Sequence, residues 1–356
     1  MLLASILAAA ATAVPQDTLV ENFNTASTQA EPDGDPEALG EFGSRLFFAA
    51  ETLSQGVEPW ITDGTAEGTT SLGDLVPGLS GSSVNEGVAL DGSRYLFIPN
   101  ASLLGREVFI TDGTPEGTEV LVDLVPGAGG SDPAHLVLHN GEVYFYATAA
   151  GSQSQLWKTD GTAAGTLPLG VATPPGFLVG GPPMISTSMG LFYARAGGQG
   201  WQLLVTDGSP GGATVLQQTA AAPFNGPNYF AEQNGVVYFA ADDAAAGIEL
   251  WRSDGTPEGT WLIDVAPGAG DASPRELTPF NGEVFFSAST GGLDRNLWKT
   301  DGTPEGTVPV IDVVTFPPPL GGTNPTELTA FGDQLVFVAS LQSVGTELFA
   351  TNGEVG

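Results

Sequence analysis

Cysteine is absent from this chain of 356 residues, which excludes disulfides and thiolate chemistry. Histidine is nearly absent. His135 and His139 are the only two, so a catalytic triad or a histidine-based metal site would have to draw on that one place. Basic residues are also scarce, with 9 Lys and Arg against 41 Asp and Glu and a formal charge of −32. A field of that sign repels phosphate backbones and anionic lipid, so nucleic acid and bare membrane surfaces are poor partners. Divalent cations, cationic surfaces or a high-salt medium suit it better. At physiological salt the Debye length is roughly 8 Å, so this charge acts near the surface, and its plain reading is a solvated acidic face. G-x-S-x-G, H-E-x-x-H and P-loop motifs are missing. No stretch keeps a helical period, and no apolar run is long enough to span a membrane.

Glycine and proline are plentiful, at 50 and 27, and many fall at fixed places in a repeat. The clearest copy is Leu250-Trp251-Arg252-Ser253-Asp254-Gly255-Thr256-Pro257-Glu258-Gly259-Thr260. Its Asp-Gly or Asn-Gly pair recurs at Asp63, Asp112, Asp160, Asp207, Asp254, Asp301 and Asn352, at intervals of 49, 48, 47, 47, 47 and 51 residues. A period near fifty in a β-rich sequence points to a propeller or another repeat array. Repeated units stack into one body, so the length does not imply several domains.

Each unit reads as four short strands. In the sixth, Glu276–Phe280 leads through Asn281-Gly282 into Val284–Ala288. A variable loop comes next, then Asn296–Thr300, the Asp301-Gly302 turn and Val308–Val313. Apolar positions alternate along these runs, and Asn-Gly and Asp-Gly allow the positive φ of tight hairpins. The linker to the next unit opens with Pro-Gly at Pro77-Gly78, Pro126-Gly127 and Pro267-Gly268. The expected fold is all-β: a seven-bladed β-propeller with four antiparallel strands per blade.

The seventh unit stops after three strands, while Thr18–Phe23 resembles the last strand of a blade without its blade. The sequence therefore predicts that this N-terminal strand completes the last blade, closing the ring and removing an exposed edge. Residues 1–13 (MLLASILAAAATA) end in an A-x-A cleavage pattern and resemble a secretory signal peptide, though without the usual positive n-region. The expected organisation is a signal at 1–13 and one propeller domain at 14–356. The mature chain would be secreted, extracellular or at the cell surface, with the periplasm as a variant.

Three residues before each Asp-Gly or Asn-Gly pair stand Trp60, Phe109, Trp157, Leu204, Trp251, Trp298 and Phe349. Large apolar side chains at one position of every unit are expected to form the blade core. Each aromatic buries roughly 150–250 Å², worth about 4–6 kcal/mol as an upper bound. A sugar-stacking ring is the less economical reading, because ligand-facing residues vary between blades. The Asp of each pair is expected to fix its turn by accepting backbone hydrogen bonds. Calcium is the one cofactor that remains open, and it needs several oxygens converging on one point. Each turn offers one carboxylate, with Glu67, Glu116, Glu258 or Glu305 nearby.

Glu249-Leu250-Trp251-Arg252-Ser253-Asp254-Gly255-Thr256 resembles the ELWxxDGT repeat family. Gln155–Thr162 and Asn296–Thr303 match with one substitution. Glu58–Thr65 has Pro59 for Leu, Glu107–Thr114 has Val108 and Phe109, and the fourth unit departs furthest, with Leu204 and Ser209. The resemblance implies an exported bacterial repeat protein and transfers no activity.

For catalysis, a sialidase-like propeller needs clustered arginines. Arg45, Arg94, Arg106, Arg195, Arg252, Arg275 and Arg295 read as scattered, at no shared repeat position. A glycosidase needs two carboxylates at a set separation, which so acidic a sequence cannot single out. His135 and His139, four apart on a first strand, are expected to face one way as a packed or channel-lining pair. Binding residues would sit on the variable loops around one mouth of the channel, where Asp242, Asp243 and Asp294 are acids the repeat does not require. The resulting expectation is a non-catalytic, monomeric interaction module for an unknown protein or glycan. The rival reading is an extracellular glycan hydrolase or lyase.

Overall fold

The computed structural model describes residues 36–353 except 85, 102–104, 153, 173–183, 198–199, 219–225, 244, 269, 290–294, 311–322 and 342–344. The signal-like run and Thr18–Phe23 lie outside the described residues. All described elements are β-strands, in two compact units, Met1–Gly181 and Pro182–Gly356.

The first unit holds three four-stranded antiparallel sheets. Sheet one is Glu37–Phe42, Arg45–Thr52, Gly56–Thr62 and Thr70–Ser71. Sheet two is Gly87–Ala89, Tyr95–Phe97, Phe109–Thr111 and Glu119–Val120, with Asn100–Ala101 and Gly105–Arg106 paired as a separate small hairpin. Sheet three is Ala134–His139, Glu142–Thr148, Ser154–Thr159 and Leu167–Ala172.

The second unit holds four sheets. Sheet four is Met184–Thr187, Gly190–Gly197, Gly200–Thr206 and Ala213–Gln218. Sheet five is Asn228–Gln233, Val236–Asp243, Gly247–Ser253 and Trp261–Ile263. Sheet six is Arg275–Phe280, Glu283–Ala288, Asn296–Thr300 and Val308–Pro309. Sheet seven has three strands among the described residues, Thr326–Phe331, Gln334–Leu341 and Gly345–Thr351.

Local chemistry explains the meander. At Asn140-Gly141, Asn234-Gly235 and Asn281-Gly282 both residues take positive φ, between 50° and 85°, the geometry of a two-residue hairpin whose twist matches its strands. The second and third strands pair without register slips in sheets one, three, five, six and seven. That register puts aromatic residues opposite one another. Phe48 faces Trp60 at 6.4 Å, Phe239 faces Trp251 at 6.2 Å, Phe286 faces Trp298 at 6.5 Å and Phe337 faces Phe349 at 5.8 Å, all stacked. Such cross-strand pairs are the unit of sheet stabilisation.

Within each unit, successive sheets pack through buried apolar clusters. Phe47, Ile61, Tyr95 and Phe97 join sheets one and two, and Leu96, Val108, Phe145 and Trp157 join sheets two and three. Phe192, Leu203, Phe239 and Trp251 join four and five; Leu250, Ile263, Val284 and Phe286 join five and six; Leu297, Leu335 and Phe337 join six and seven. Of the seven motif residues, Phe109, Trp157, Leu204 and Trp251 are buried, whereas Trp60, Trp298 and Phe349 are half-buried.

The first strands are less regular. Register shifts interrupt them after Ala134, Asn228, Arg275 and Thr326. The next residue in each case, His135, Tyr229, Glu276 or Glu327, takes a φ of 55–58°. One extra residue at this bulge breaks the alternation of side chains. The spacing of four between His135 and His139 therefore does not place them on one face, which corrects the expectation drawn from strand periodicity.

Candidate functional site

The Asp-Gly turns form a repeated hydrogen-bond circuit. Asp63 Oδ1 accepts from the Thr65 amide at 2.9 Å and the Thr65 hydroxyl at 2.7 Å. Thr65 Oγ1 accepts from the Gly68 amide at 2.9 Å, and the Thr69 hydroxyl donates to the Thr65 carbonyl at 2.7 Å. The pattern recurs at Asp112, Asp160, Asp254 and Asp301. These bonds hold the five carboxyls below the ordinary Asp range, the Thr hydroxyl acting most strongly.

Two glycines make the turn possible for different reasons. Gly255 has a φ of 87°. Gly259 is needed for space, since a Cβ there would lie 1.9 Å from Asp254 Oδ1. At Asp207 the hydroxyl comes from Ser209, at 2.6 Å, and the Gly212 amide bonds the Ser209 carbonyl rather than its side chain. At the seventh position the Asn352 carbonyl accepts from Asn281 Nδ2 at 3.4 Å. Among the described residues no three His, Asp or Glu come together as metal ligands.

The carboxylates buried deepest belong to the first residue of the motif, to which sequence reasoning assigned no role. Glu58, Glu107 and Glu249 are fully buried, and each reaches the linker that leaves its own sheet. Glu58 accepts from the Leu75 and Val76 amides at 3.2 and 3.3 Å. Glu107 accepts from the Val125 amide at 3.2 Å and the Ser131 hydroxyl at 2.5 Å. Glu249 accepts from Val265 at 2.8 Å, Ala266 at 3.4 Å and Ala272 at 3.1 Å. Burial raises all three, Glu249 to about 7. The amide bonds and, for Glu58 and Glu107, a serine hydroxyl work in the other direction. A carboxylate tuned to neutrality suits proton transfer. Here its oxygens are occupied by backbone amides at three equivalent positions, so its role is to clamp the linker. A signal for it was present in the sequence: Glu occupies this position in the three units whose linkers read Asp-x-x-Pro-Gly, from Asp74, Asp123 and Asp264. Gln155, Gln202 and Asn296 replace it in three others.

His139 is 3% exposed and meets Tyr144 edge-on at 5.9 Å, and burial lowers its pKa. Asp243, which sequence reasoning placed among the loop acids, accepts from the Ala245 and Ala246 amides at 2.9 and 3.2 Å and so fixes its own loop. Asp242 precedes it in the same strand, Val236–Asp243, and Asp294 lies outside the described residues.

The arginines are more ordered than their sequence positions suggest. Arg106 and Arg295 both stand three residues before the motif aromatic, and both carbonyls accept a linker amide, from Ser131 at 2.9 Å and Asn324 at 3.0 Å. They share a repeat position, which corrects the reading of scattered arginines. Arg295 Nε donates to Ser287 Oγ at 3.0 Å, and its Nη2 donates to the Ser287 carbonyl at 2.6 Å and to the Ser273 carbonyl. Arg275 is the cross-strand partner of Ser287. The structure thus brings two arginines, twenty residues apart in sequence, to one serine.

No protein-family profile matches the chain, and no curated protein matches it in sequence. Solved structures do match. A structure from a study of two prolyl endopeptidases and the role of inter-domain dynamics in catalysis and specificity aligns with a TM-score of 0.55 at 14% identity, over 89% of this chain and 48% of that one. Oligopeptidase B from Leishmania major gives a TM-score of 0.55 at 9% identity, over 90% of this chain and 48% of its own. The β-propeller domain of the trilobed protease from Pyrococcus furiosus gives 0.46 at 11% identity, over 89% of this chain and 95% of that one. The chain spans about half the length of the first two. Among the described residues seven antiparallel sheets of three or four strands succeed one another along the chain, the arrangement of a β-propeller fold. The comparisons overturn the expectation of a non-catalytic interaction module, since the structures aligned at a TM-score of 0.55 are peptidases.

Proposed function

We propose that this chain works in peptide hydrolysis, as a propeller that helps select the peptides to be cleaved. The observation that carries the reading is the alignment of 89–90% of the chain, at a TM-score of 0.55, with about half of two kinds of peptidase. In the prolyl endopeptidases inter-domain dynamics has a role in catalysis and specificity, and a propeller is the part of such an enzyme that this chain resembles. The test is saturable binding or cleavage of a mixed pool of fluorescein-labelled hexapeptides by the purified protein. We expect one or the other. A folded protein that neither binds nor cleaves the pool overturns the proposal.

Two further elements belong to it. The ring is closed by Thr18–Phe23 as the fourth strand of sheet seven. Supporting this, the Gly345–Thr351 strand has no outer neighbour among the described residues, and Leu348 on it is 71% exposed. An unpaired edge of that kind invites pairing. The chain is exported, a reading supported by the signal-like residues 1–13 and by the resemblance to ELWxxDGT repeats.

A further inference from the structure

Lys and Arg number 9 against 41 acids, so carboxylate partners should be abundant. The described residues nevertheless contain three ion pairs, Arg94–Asp91, Lys158–Glu142 and Lys299–Glu283. Neither Arg275 nor Arg295 takes part in one. These two meet at Ser287, where Arg295 is held by three hydrogen bonds to uncharged oxygens and Arg275 lies cross-strand and exposed.

The donor inventory leaves capacity at this spot. A guanidinium carries five N–H donors. Arg295 spends its Nε hydrogen on Ser287 Oγ and its Nη2 hydrogens on two carbonyls. Its Nη1 hydrogens make no hydrogen bond among the described residues, and neither does the Arg275 side chain. Tyr229, on the first strand of the adjacent sheet five, is 45% exposed and close enough to Arg295 to act on it electrostatically. Burial lowers the Arg295 pKa from its ordinary value, and the Arg275 charge lowers it further. Two like charges crowded together, with no ion-pair partner among the described residues, cost energy that a bound anion would relieve.

We propose that Arg275, Arg295 and Tyr229 form a carboxylate-binding subsite in the second unit, and that its occupant is the carboxylate of a peptide. The Arg275 guanidinium, whose donors make no hydrogen bond among the described residues, can meet the planar, two-oxygen geometry of a carboxylate, and Arg295, held in place by its other three donors, adds its Nη1 hydrogens. The phenolic hydroxyl adds a third donor, and the exposed ring offers an apolar surface to the adjoining residue. The surrounding negative field is screened within roughly 8 Å at physiological salt, so it does not cancel a direct contact. The choice of a peptide as the source of the carboxylate rests on the reading of the chain as peptide-handling.

The test is fluorescence anisotropy with labelled hexapeptides that have neutral side chains and end either in a free carboxylate or in an amide. Citrate is titrated separately by calorimetry. We expect the free-acid peptide to bind at least tenfold more tightly than the amide. Arg275→Gln should abolish that difference with no change in melting temperature, because the side chain makes no hydrogen bond or ion pair among the described residues. Arg295→Lys, which keeps the charge and loses the anchored Nη1 donors, should reduce it several-fold. Equal binding of acid and amide peptides would overturn the subsite while leaving a peptide-handling propeller standing. Citrate binding that Arg275→Gln abolishes, with no peptide binding, would support the anion subsite and overturn its peptide occupant. No binding of any probe overturns the subsite altogether.

Discussion

Sheets five and seven carry nearly the same tripeptide, Glu249-Leu250-Trp251 and Glu347-Leu348-Phe349, with opposite surroundings. Glu249 and Leu250 are both 0% exposed, whereas Leu348 is 71% exposed and Glu347 is exposed as well. The difference lies in the chain beyond the motif. The segment leaving sheet five wraps back, and its amides at Val265, Ala266 and Ala272 converge on Glu249. Leu250 packs with Ile263 and Val265 from that same segment and with Val284 and Phe286 of sheet six. No described segment does this for Glu347. A repeat motif does not bring its own burial with it; the next linker and the next sheet supply it.

The largest expected effect is on the clamp. Glu249→Ala strands three buried amide donors at a cost of about 1–3 kcal/mol each when left unsatisfied, so a total loss of at least about 3 kcal/mol is expected. Glu347→Ala should stay within about 0.5 kcal/mol, as exposed positions do. Urea unfolding of the two variants side by side measures the contrast, and equal losses would refute it. Deleting residues 14–25 asks whether sheet seven is covered by the N-terminal strand. The expected result is a loss of several kcal/mol, of the size that burial of one strand's apolar side chains supplies, and an unchanged melting temperature sinks ring closure.

Gly259→Ala tests the turn of sheet five, where the new methyl would press on Asp254. Overpacking of this kind costs about 1–3 kcal/mol. The same change at Gly353, next to Asn352, is disfavoured by its φ of 84° and by Phe285, so its cost should persist in an Asn352→Ala background. The cost at Gly259 should fall when Asp254 is replaced by Ala.

The smallest effect is on pH. Because the folded pKa of Glu249 is raised to about 7, its protonated form stabilises the fold. That contribution is complete below the ordinary Glu value of 4.5 and is lost as pH rises through about 7. The turn carboxyls act in reverse. Held below 3.8, they contribute above that value and lose their contribution as pH falls through their lowered folded values. Melting temperature should therefore decline modestly between pH 5 and pH 8, and Glu249→Gln should flatten that slope. A slope unchanged by the substitution would remove Glu249 as its source.

Much of this architecture was legible because its signals are local. Asn281-Gly282 declares a hairpin, alternation marks Val284–Ala288, and Trp298 recurs at a fixed distance from Asp301. The clamp was harder to see because the partners of Glu249 are backbone amides 16–23 residues away, and amides carry no side-chain identity. The bulge at His135 also went unread, since no residue type is reserved for it: Tyr229, Glu276 and Glu327 occupy the same conformation. Arg275 and Arg295 stood apart in sequence because one begins a first strand and the other precedes a third. Register, rather than spacing, brings them together at Ser287. Function was misread for a related reason. Absent motifs and an acidic composition describe what a surface repels, and they say little about the assemblies in which its fold is used.

The hydroxyl circuit of the Asp-Gly turns has a kinetic consequence. Thr69 donates to the Thr65 carbonyl, so the hydrogen between Thr62 and Thr69 must come from Thr62. The whole circuit closes within eight residues, 62 to 69, and equivalents stand at Thr111, Thr159, Ser253 and Thr300. Contacts this local cost little loop-closure entropy and form early. The described residues thus carry five separate seeds, each able to align the third and fourth strands of its own sheet before neighbouring sheets arrive. Folding can start at any of them and spread outward, as in other repeat proteins, so losing one seed should slow the route through that sheet and leave the others open.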